Sequence, residues 1–283
     1  MNSGFCDRLR QITFCIAYNK ILKKKIRKIE IFEIKNKECP YYFTELLKIK
    51  NFIVTNVKRK KLKTLQMTPF NSSVSIDTCL KFNKNKNINN FRLLHEWKKT
   101  YKLLIPKKKI LKKINKFKKY GKYVCVHSRI TDKLVNNYTY FFEIPKKDLI
   151  LKSQLNEFIE NIYELIPKKY KNIYLATDEM HYRSKLTSIL KKEYNLINNR
   201  IKFNSSKLRQ TSGDDFILDL FIMSESDYLI STTGGNVPDT ALMMSQKNKK
   251  YIKWISTKQK YRIFFLIRTI LFNLRRSFKS LLF

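Results

Sequence analysis

The second half of the chain repeats one pattern: a short apolar run, a polar loop, then apolar residues spaced three or four apart. Tyr123-Val124-Cys125-Val126 reads as a buried strand. Asn172-Ile173-Tyr174-Leu175-Ala176 reads as a second and Tyr228-Leu229-Ile230-Ser231 as a third, with a weaker one near Arg200-Ile201-Lys202-Phe203. Helical spacing fills the intervals. One helix is expected from about Lys146 or Ser153 to Leu165, with Phe158, Ile159, Ile162 and Leu165 on one face, and others over 181–192, Phe216–Ser224 and Asp239–Met244. Strands alternating with helices predict an α/β fold with a doubly wound parallel sheet. The first half is less regular. Residues 8–22 carry Leu9, Ile12, Ile16, Ala17 and Ile21 at helical spacing, giving one apolar face, and Ile29 to Ile34 alternates as a strand. Between 50 and 120 lysine clusters blur the period, and Pro106 with Lys107-Lys108-Lys109 reads as a link. At 283 residues the chain has room for two domains of ordinary size. We expect an N-terminal α/β domain over 1–110, a Rossmann-like domain over 111–250 and a basic amphipathic tail over 251–283.

Each apolar strand of the second half ends in polar residues, and in a parallel sheet those ends share one edge, where open α/β sheets bind ligands. The first loop supplies His127, Arg129, Asp132 and Lys133; Arg129 offers a planar fork of donors suited to a diphosphate. The second supplies Asp178 and Glu179. The third, Thr232-Thr233-Gly234-Gly235-Asn236, offers backbone N–H groups and hydroxyls ahead of a helix, where the helix field favours an anion. No Asp-x-Asp pair stands at a strand end, so charge on a leaving diphosphate would be met by arginine and backbone donors without a metal ion. Taken singly, Arg129 reads equally as an ion-paired surface residue, the Gly-Gly pair as a turn, His127 as a structural hydrogen-bonder and Asp178 as a helix cap.

These motifs, His-x-Arg-x-Thr-Asp-Lys after a strand, Tyr-Leu-Ala-Thr-Asp-Glu, and Asp219 followed by Asp-Tyr-Leu-Ile-Ser-Thr and Asn236-Val237, resemble the nodulation and core α-1,6-fucosyltransferases. Ser3-Gly4-Phe5-Cys6-Asp7-Arg8-Leu9 resembles that family's glycine-rich loop. The resemblance implies a GT-B-like pair of Rossmann-type domains and metal-independent, inverting transfer from GDP-fucose. It also implies roles. Arg129 matches the arginine on the donor's β-phosphate, while His127 and Asp219 match positions that contact guanine. Asp132 matches an acidic position one layer out, and Lys133 a lysine near the catalytic base. Asp178 falls in the acidic second motif; Thr233, Gly234 and Gly235 match the turn at the phosphates, and Gly4 the glycine-rich loop. Three positions depart: Ile130 replaces a second arginine, Cys6 replaces a glycine whose close backbone approach a side chain would crowd, and Asn137 replaces the glutamate expected as base. Asparagine takes no proton, so Glu143 is the substitute candidate and Asp132 the next. The strand that precedes the loop in the family has no counterpart before Ser3, as in a chain that starts late.

Composition adds less than its extremes suggest. The net charge is +38, and of the 60 basic residues 13 are arginines and 47 lysines. With abundant Asn and Ile, this is a drift toward Lys along the whole chain, so the charge is assigned to solvated surface rather than to a nucleic-acid partner. Cys6, Cys15, Cys39, Cys79 and Cys125 form no CxxC pair and no zinc-like spacing with histidine, which fits a reducing cytoplasm. No run of about 18 apolar residues marks a spanning helix. The tail from Gln259 to Phe283 has the mix of basic and apolar residues of an amphipathic helix on an anionic membrane surface, or of a last helix packed on the protein. The expected partners are a nucleotide-sugar donor and a glycan or lipid-linked glycan acceptor of cell-surface synthesis, at the cytoplasmic membrane face. A basic nucleic-acid- or membrane-binding protein with an inactive transferase-like core remains the alternative, as does transfer from another nucleotide sugar.

Overall fold

The protein was analysed as a computed structural model, which describes residues 4–31, 33, 35, 39–57, 80, 88–128, 155–177, 180–197, 211–232, 236–254 and 270. The second half is built on a five-stranded parallel sheet. Its strands are β5 (Tyr123–Ser128), β6 (Asn172–Thr177), β7 (Asn195–Leu196), β8 (Tyr228–Thr232) and β9 (Lys250–Trp254), in the order β7-β6-β5-β8-β9. From β5 the chain steps outward through β6 and β7, then returns to β8 on the other side. The direction of winding therefore reverses between β5 and β8, and the carboxyl ends of these two strands flank a switch point.

Both faces of this sheet are covered, as its continuous apolar runs require. Alternation along each strand divides the core in two. Val124, Val126, Ile173, Leu175 and Ile230 face Phe158, Ile159 and Ile162, from a helix over 155–160 and α5 (Ile162–Leu165), and Leu186 of α6 (Met180–Leu190). Tyr123, Cys125, Tyr174, Ala176 and Leu229 face the opposite way, onto α7 (Gly213–Glu225) and α8 (Asn236–Met244). That second core continues without a break into the first half.

In the first half the central element is α1 (Phe5–Ile21). Its sequence predicts one buried face, whereas thirteen of its seventeen residues are buried, Arg8, Arg10, Gln11 and Thr13 among them. A helix covered on all sides has no polar stripe, and each polar side chain in it must find a partner. Thr13 does so twice: its hydroxyl donates to Leu9 O at 2.8 Å and accepts the Trp97 indole N–H at 2.9 Å. Trp97 belongs to α3 (Asn90–Thr100) and is wholly buried, edge-on to Phe14 at 5.2 Å. Around α1 lie the short α2 (Phe43–Leu46), β1 (Lys28–Ile31) paired in parallel with β3 (Ile53–Asn56), and β2 (Leu47–Ile49) paired antiparallel with β4 (Leu104–Pro106).

Between 88 and 120, where lysine clusters blur any period, the structure holds α3, β4 and α4 (Lys108–Phe117). Pro106 to Lys109, read as a link, closes β4 and opens α4, so a boundary at residue 110 falls inside a helix. Residues 251–254, assigned to the tail, complete the edge strand β9. The weak strand expected near 200–203 and the tail beyond 254 lie outside the described residues, apart from Ile270.

At the foot of the sheet Tyr123 fixes β5 to α7. Its hydroxyl donates to Ile222 O at 2.6 Å, its N–H donates to Asp227 Oδ2 at 3.1 Å, and its carbonyl accepts Asp227 N–H at 3.1 Å. Burial, then nearby negative groups, push the phenol pKa well above its ordinary range. A folded pKa raised above the unfolded one gives stability that is complete below the unfolded value, about 10, and is lost as pH climbs past it. Tyr123→Phe should lower stability near neutrality by about 1 kcal/mol. It should also flatten the alkaline decline seen in urea-unfolding midpoints measured on either side of about pH 10.

Candidate active site

At the carboxyl edge of the sheet, a cleft partly open to solvent opens on the face that carries α7. His127 of β5 and Ala176 and Thr177 of β6 form its floor; Thr211, Ser212, Gly213, Phe216 and Asp219 form one side. Phe5 at the start of α1, Val237 of α8, and Cys39, Pro40 and Tyr41 close it from the first half. The apolar walls and few converging polar groups are those of a small-molecule site. His127 reaches the cleft because it shares a strand face with Cys125 and Tyr123, two and four residues back.

Two buried arginines of α1 position the walls. Arg8 Nη1 donates to Glu33 Oε1 and to Tyr41 O, each at 3.2 Å, and Glu33 accepts the Phe43 N–H at 2.9 Å. Burial raises the Glu33 carboxyl pKa, opposed by the Phe43 amide and the Arg8 charge. The Pro40–Tyr41 wall is thereby tied to α1. Arg10, with no exposed surface, crosses to the other half: Nη1 donates to Asn236 Oδ1 and Nη2 to Asn236 O, both at 2.9 Å. Nη2 also lies 3.7 Å from Asp239, and Asn236 Nδ2 donates to Asp7 Oδ1 at 2.5 Å. These bonds fasten the first turn of α8 beside the cleft.

The remaining wall needs a residue without a side chain. Gly213 opens α7 behind the Ser212 cap, whose Oγ accepts Asp215 N–H at 3.1 Å. A Cβ there would sit 2.9 Å from the Tyr41 ring and 3.0 Å from Leu46. Phe5 packs edge-on to Phe216 at 5.9 Å and parallel to Phe43 at 6.2 Å, which spans the same seam. On α7, Asp219 is 8 % exposed, and its Oδ1 accepts the hydroxyl of the fully buried Tyr174. Burial and the Asp219 charge hold that phenol well above its ordinary pKa.

Of the residues singled out from sequence, His127 and Asp219 are brought together at the cleft. Gly4 sits just outside, as the N-cap of α1, its carbonyl accepting Asp7 N–H at 3.0 Å. Cys6 is buried in the core beside it. Arg129, Asp132, Lys133, Asn137, Glu143, Asp178, Thr233, Gly234 and Gly235 lie outside the described residues. They follow in sequence directly or closely upon Ser128, Thr177 and Thr232, the strand ends that mark this edge. Sequence reasoning did not find the roles of Arg8, Arg10, Asn236 and Tyr174. The signal available was two arginines near the start of a helix with many apolar positions, but their partners stand up to 226 residues away.

A family model for the GDP-fucose protein O-fucosyltransferases matches residues 9–245. The chain belongs to this family. As a fucosyltransferase-family glycosyltransferase it also shares its fold with solved structures. A crystal structure of NodZ α-1,6-fucosyltransferase soaked with GDP-fucose aligns with a TM-score of 0.54 at 12% identity, over 87% of this chain and 90% of that one. Fucosyltransferase NodZ from Bradyrhizobium aligns with a TM-score of 0.53 at 10% identity, over 87% and 91%. No curated protein sequence matches the chain. The α/β, GT-B-like fold places this family member's cleft between its two halves, at the switch point of the second sheet.

Two substitutions test the seam. Arg10→Met removes one side of a buried charge network and should cost about 3–5 kcal/mol in equilibrium unfolding. Gly213→Ala should drive the Tyr41 ring from its seat, lowering stability by about 1–2 kcal/mol as overpacking outweighs the helix preference for alanine. Solvent accessibility of Tyr41, read by tyrosine nitration, should rise with it.

Proposed function

We propose that this chain transfers fucose from GDP-fucose to a hydroxyl of a glycan acceptor, with inversion at the anomeric carbon. The observation that supports this most is the pairing of His127 and Asp219 at one switch-point cleft in a chain of this family. A carboxylate facing a cleft suits the two adjacent N–H donors on the edge of guanine, and an imidazole adds a further polar contact. Phe5, Phe216 and Tyr41 supply the apolar surface a flat base needs.

In this reading the acceptor oxygen attacks the anomeric carbon as the bond from that carbon to the β-phosphate oxygen breaks, and GDP departs with the bonding pair. Negative charge grows on the departing diphosphate. Arg129, which follows Ser128 in sequence, and the backbone donors of Thr233, Gly234 and Gly235 meet that growth, and so bind the transition state more tightly than the ground state. The acceptor proton passes to a carboxylate; Glu143 is our candidate and Asp132 the next, since Asn137 cannot accept it. Lys133 adds positive charge nearby, and Asp178 orders the second loop.

The test is a panel of nucleotide sugars. GDP-fucose should be hydrolysed or transferred while UDP and CMP sugars are not, and Arg129→Ala should lower turnover by about 10²–10³-fold, the effect of deleting one oxyanion-type donor. In thermal-shift measurements GDP should raise the melting temperature, with UDP and single-stranded RNA without effect. Undiminished activity in Arg129→Ala, or stabilisation by RNA alone, would overturn the assignment.

A further inference from the structure

Tyr174 lies in the middle of β6 with no exposed surface, and the sequence gives it only the role of a core aromatic. Its ring is braced from one side by Phe117, edge-on at 5.4 Å and 89°. On the other side its hydroxyl donates to Asp219 Oδ1. One end of this bond sits on a parallel strand paired along its whole length with β5 and, at Asn172 and Ile173, with β7. The other end is a carboxylate that borders the cleft.

Two consequences follow from elementary chemistry. A carboxylate on a helix turns about two side-chain torsions, and a bond to one of its oxygens fixes both. A phenol O–H also bonds an ionised carboxylate more strongly than a neutral one, which offsets the tendency of burial to protonate it. An ionised carboxylate only accepts. A protonated one would present an O–H toward the same ligand edge and mismatch a base that offers donors there.

We propose that Tyr174 is a positioning residue for recognition of the donor's base: its hydroxyl orients the Asp219 carboxylate, keeps it an acceptor, and through it sets the preference for guanine. The proposal rests on the donor reading given above and extends it to a residue that never touches the nucleotide. The preference has a simple reporter. Guanine offers a ring N–H and an exocyclic amine side by side, whereas hypoxanthine keeps the ring N–H and lacks the amine. The ratio of GDP to IDP affinity therefore measures how well the carboxylate is aimed.

Tyr174→Phe removes one oxygen and leaves the ring on Phe117. Calorimetric titration with GDP, IDP and UDP should show a loss of about tenfold for GDP with IDP and UDP little changed, since an unmet hydrogen bond to a charged partner is worth roughly that factor. For GDP-fucose the KM should rise while kcat stays within about twofold, because a contact made equally in ground and transition states was lost. A merely structural role predicts a lower melting temperature with the GDP to IDP ratio intact, and that result overturns the proposal. Asp219→Asn, alone and combined with Tyr174→Phe, gives a second test, because the double variant leaves no unpaired buried charge. If Tyr174 acts through Asp219, the double variant binds GDP as Asp219→Asn does; a further loss overturns the proposal. Wild-type protein with no preference for GDP over UDP would overturn the donor reading, and this proposal with it. A wild-type preference that Tyr174→Phe leaves untouched would overturn this proposal alone.

Discussion

The structure depends on a charge that has no access to water. The Arg10 guanidinium is wholly buried, and an ion so placed would cost several kcal/mol unless its donors were met. Both terminal nitrogens are met from the far end of the chain, by the two oxygens of Asn236, with the Asp239 carboxylate 3.7 Å from Nη2. Leaving that arrangement would strand a charge, so α1 and α8 hold one relative placement. Arg8, two residues earlier, does the same toward Glu33 and the Tyr41 carbonyl. Two residues apart on a helix point about 200° from one another, so a single helix can fasten both walls. Phe5, at the head of the same helix, lines the cleft.

This constraint explains why the cleft lies at a seam. A parallel sheet offers a crevice where its winding reverses, but a crevice on one domain is shallow. The first half supplies the roof through Pro40 and Tyr41, and Gly213 lets that roof come within contact distance of α7. The core does not stop at the seam: Phe5, Phe43 and Leu46 pack in one cluster with Ile217, Leu220 and Val237. Polar fastening gives the two halves their register, and apolar burial gives the seam its strength. The division suits the physics, since hydrophobic contact is non-directional and hydrogen bonds are not.

What could be read from the sequence was whatever a local period encodes. The buried strands β5, β6 and β8 announced themselves as apolar runs ending in polar residues, and the carboxyl edge followed from their parallel order. Helix α1 was visible as a helix but not as the hub, because a helix buried all round differs from an amphipathic one only in the partners of its polar residues. Strand β9 was missed for a physical reason. It is an edge strand, with Lys250 exposed at its start and Lys253 exposed near its end, so its alternation resembles that of a charged tail. Helix α4 was hidden by its lysines, since only Ile110 and Ile114 are buried. At the site, His127 and Asp219, which the family motif carries, both line the cleft. Tyr174 gave no signal of its own, because a tyrosine among apolar strand residues looks the same whether its hydroxyl meets a backbone carbonyl or a cleft-lining carboxylate.

The basic composition, so prominent in the sequence, turns out to say little about the chemistry. Most lysines on α4 stand in solvent; Lys109 lies 3.9 Å from the half-exposed Asp214, an exposed pairing that contributes little, and the half-exposed Lys113 lies 3.5 Å from the buried Asp215. Arginine behaves differently in the same chain. Among the described residues Arg27 and Arg92 are exposed, but Arg8 and Arg10 are wholly buried and Arg183 donates to Leu175 O at 3.0 Å. The contrast follows from shape. A guanidinium can reach two acceptors in fixed directions, as Arg10 does with the side chain and the backbone of Asn236, whereas an ammonium is a strongly hydrated point charge that resists burial. In a chain drifted toward lysine, the arginines in apolar surroundings are thus the informative cations.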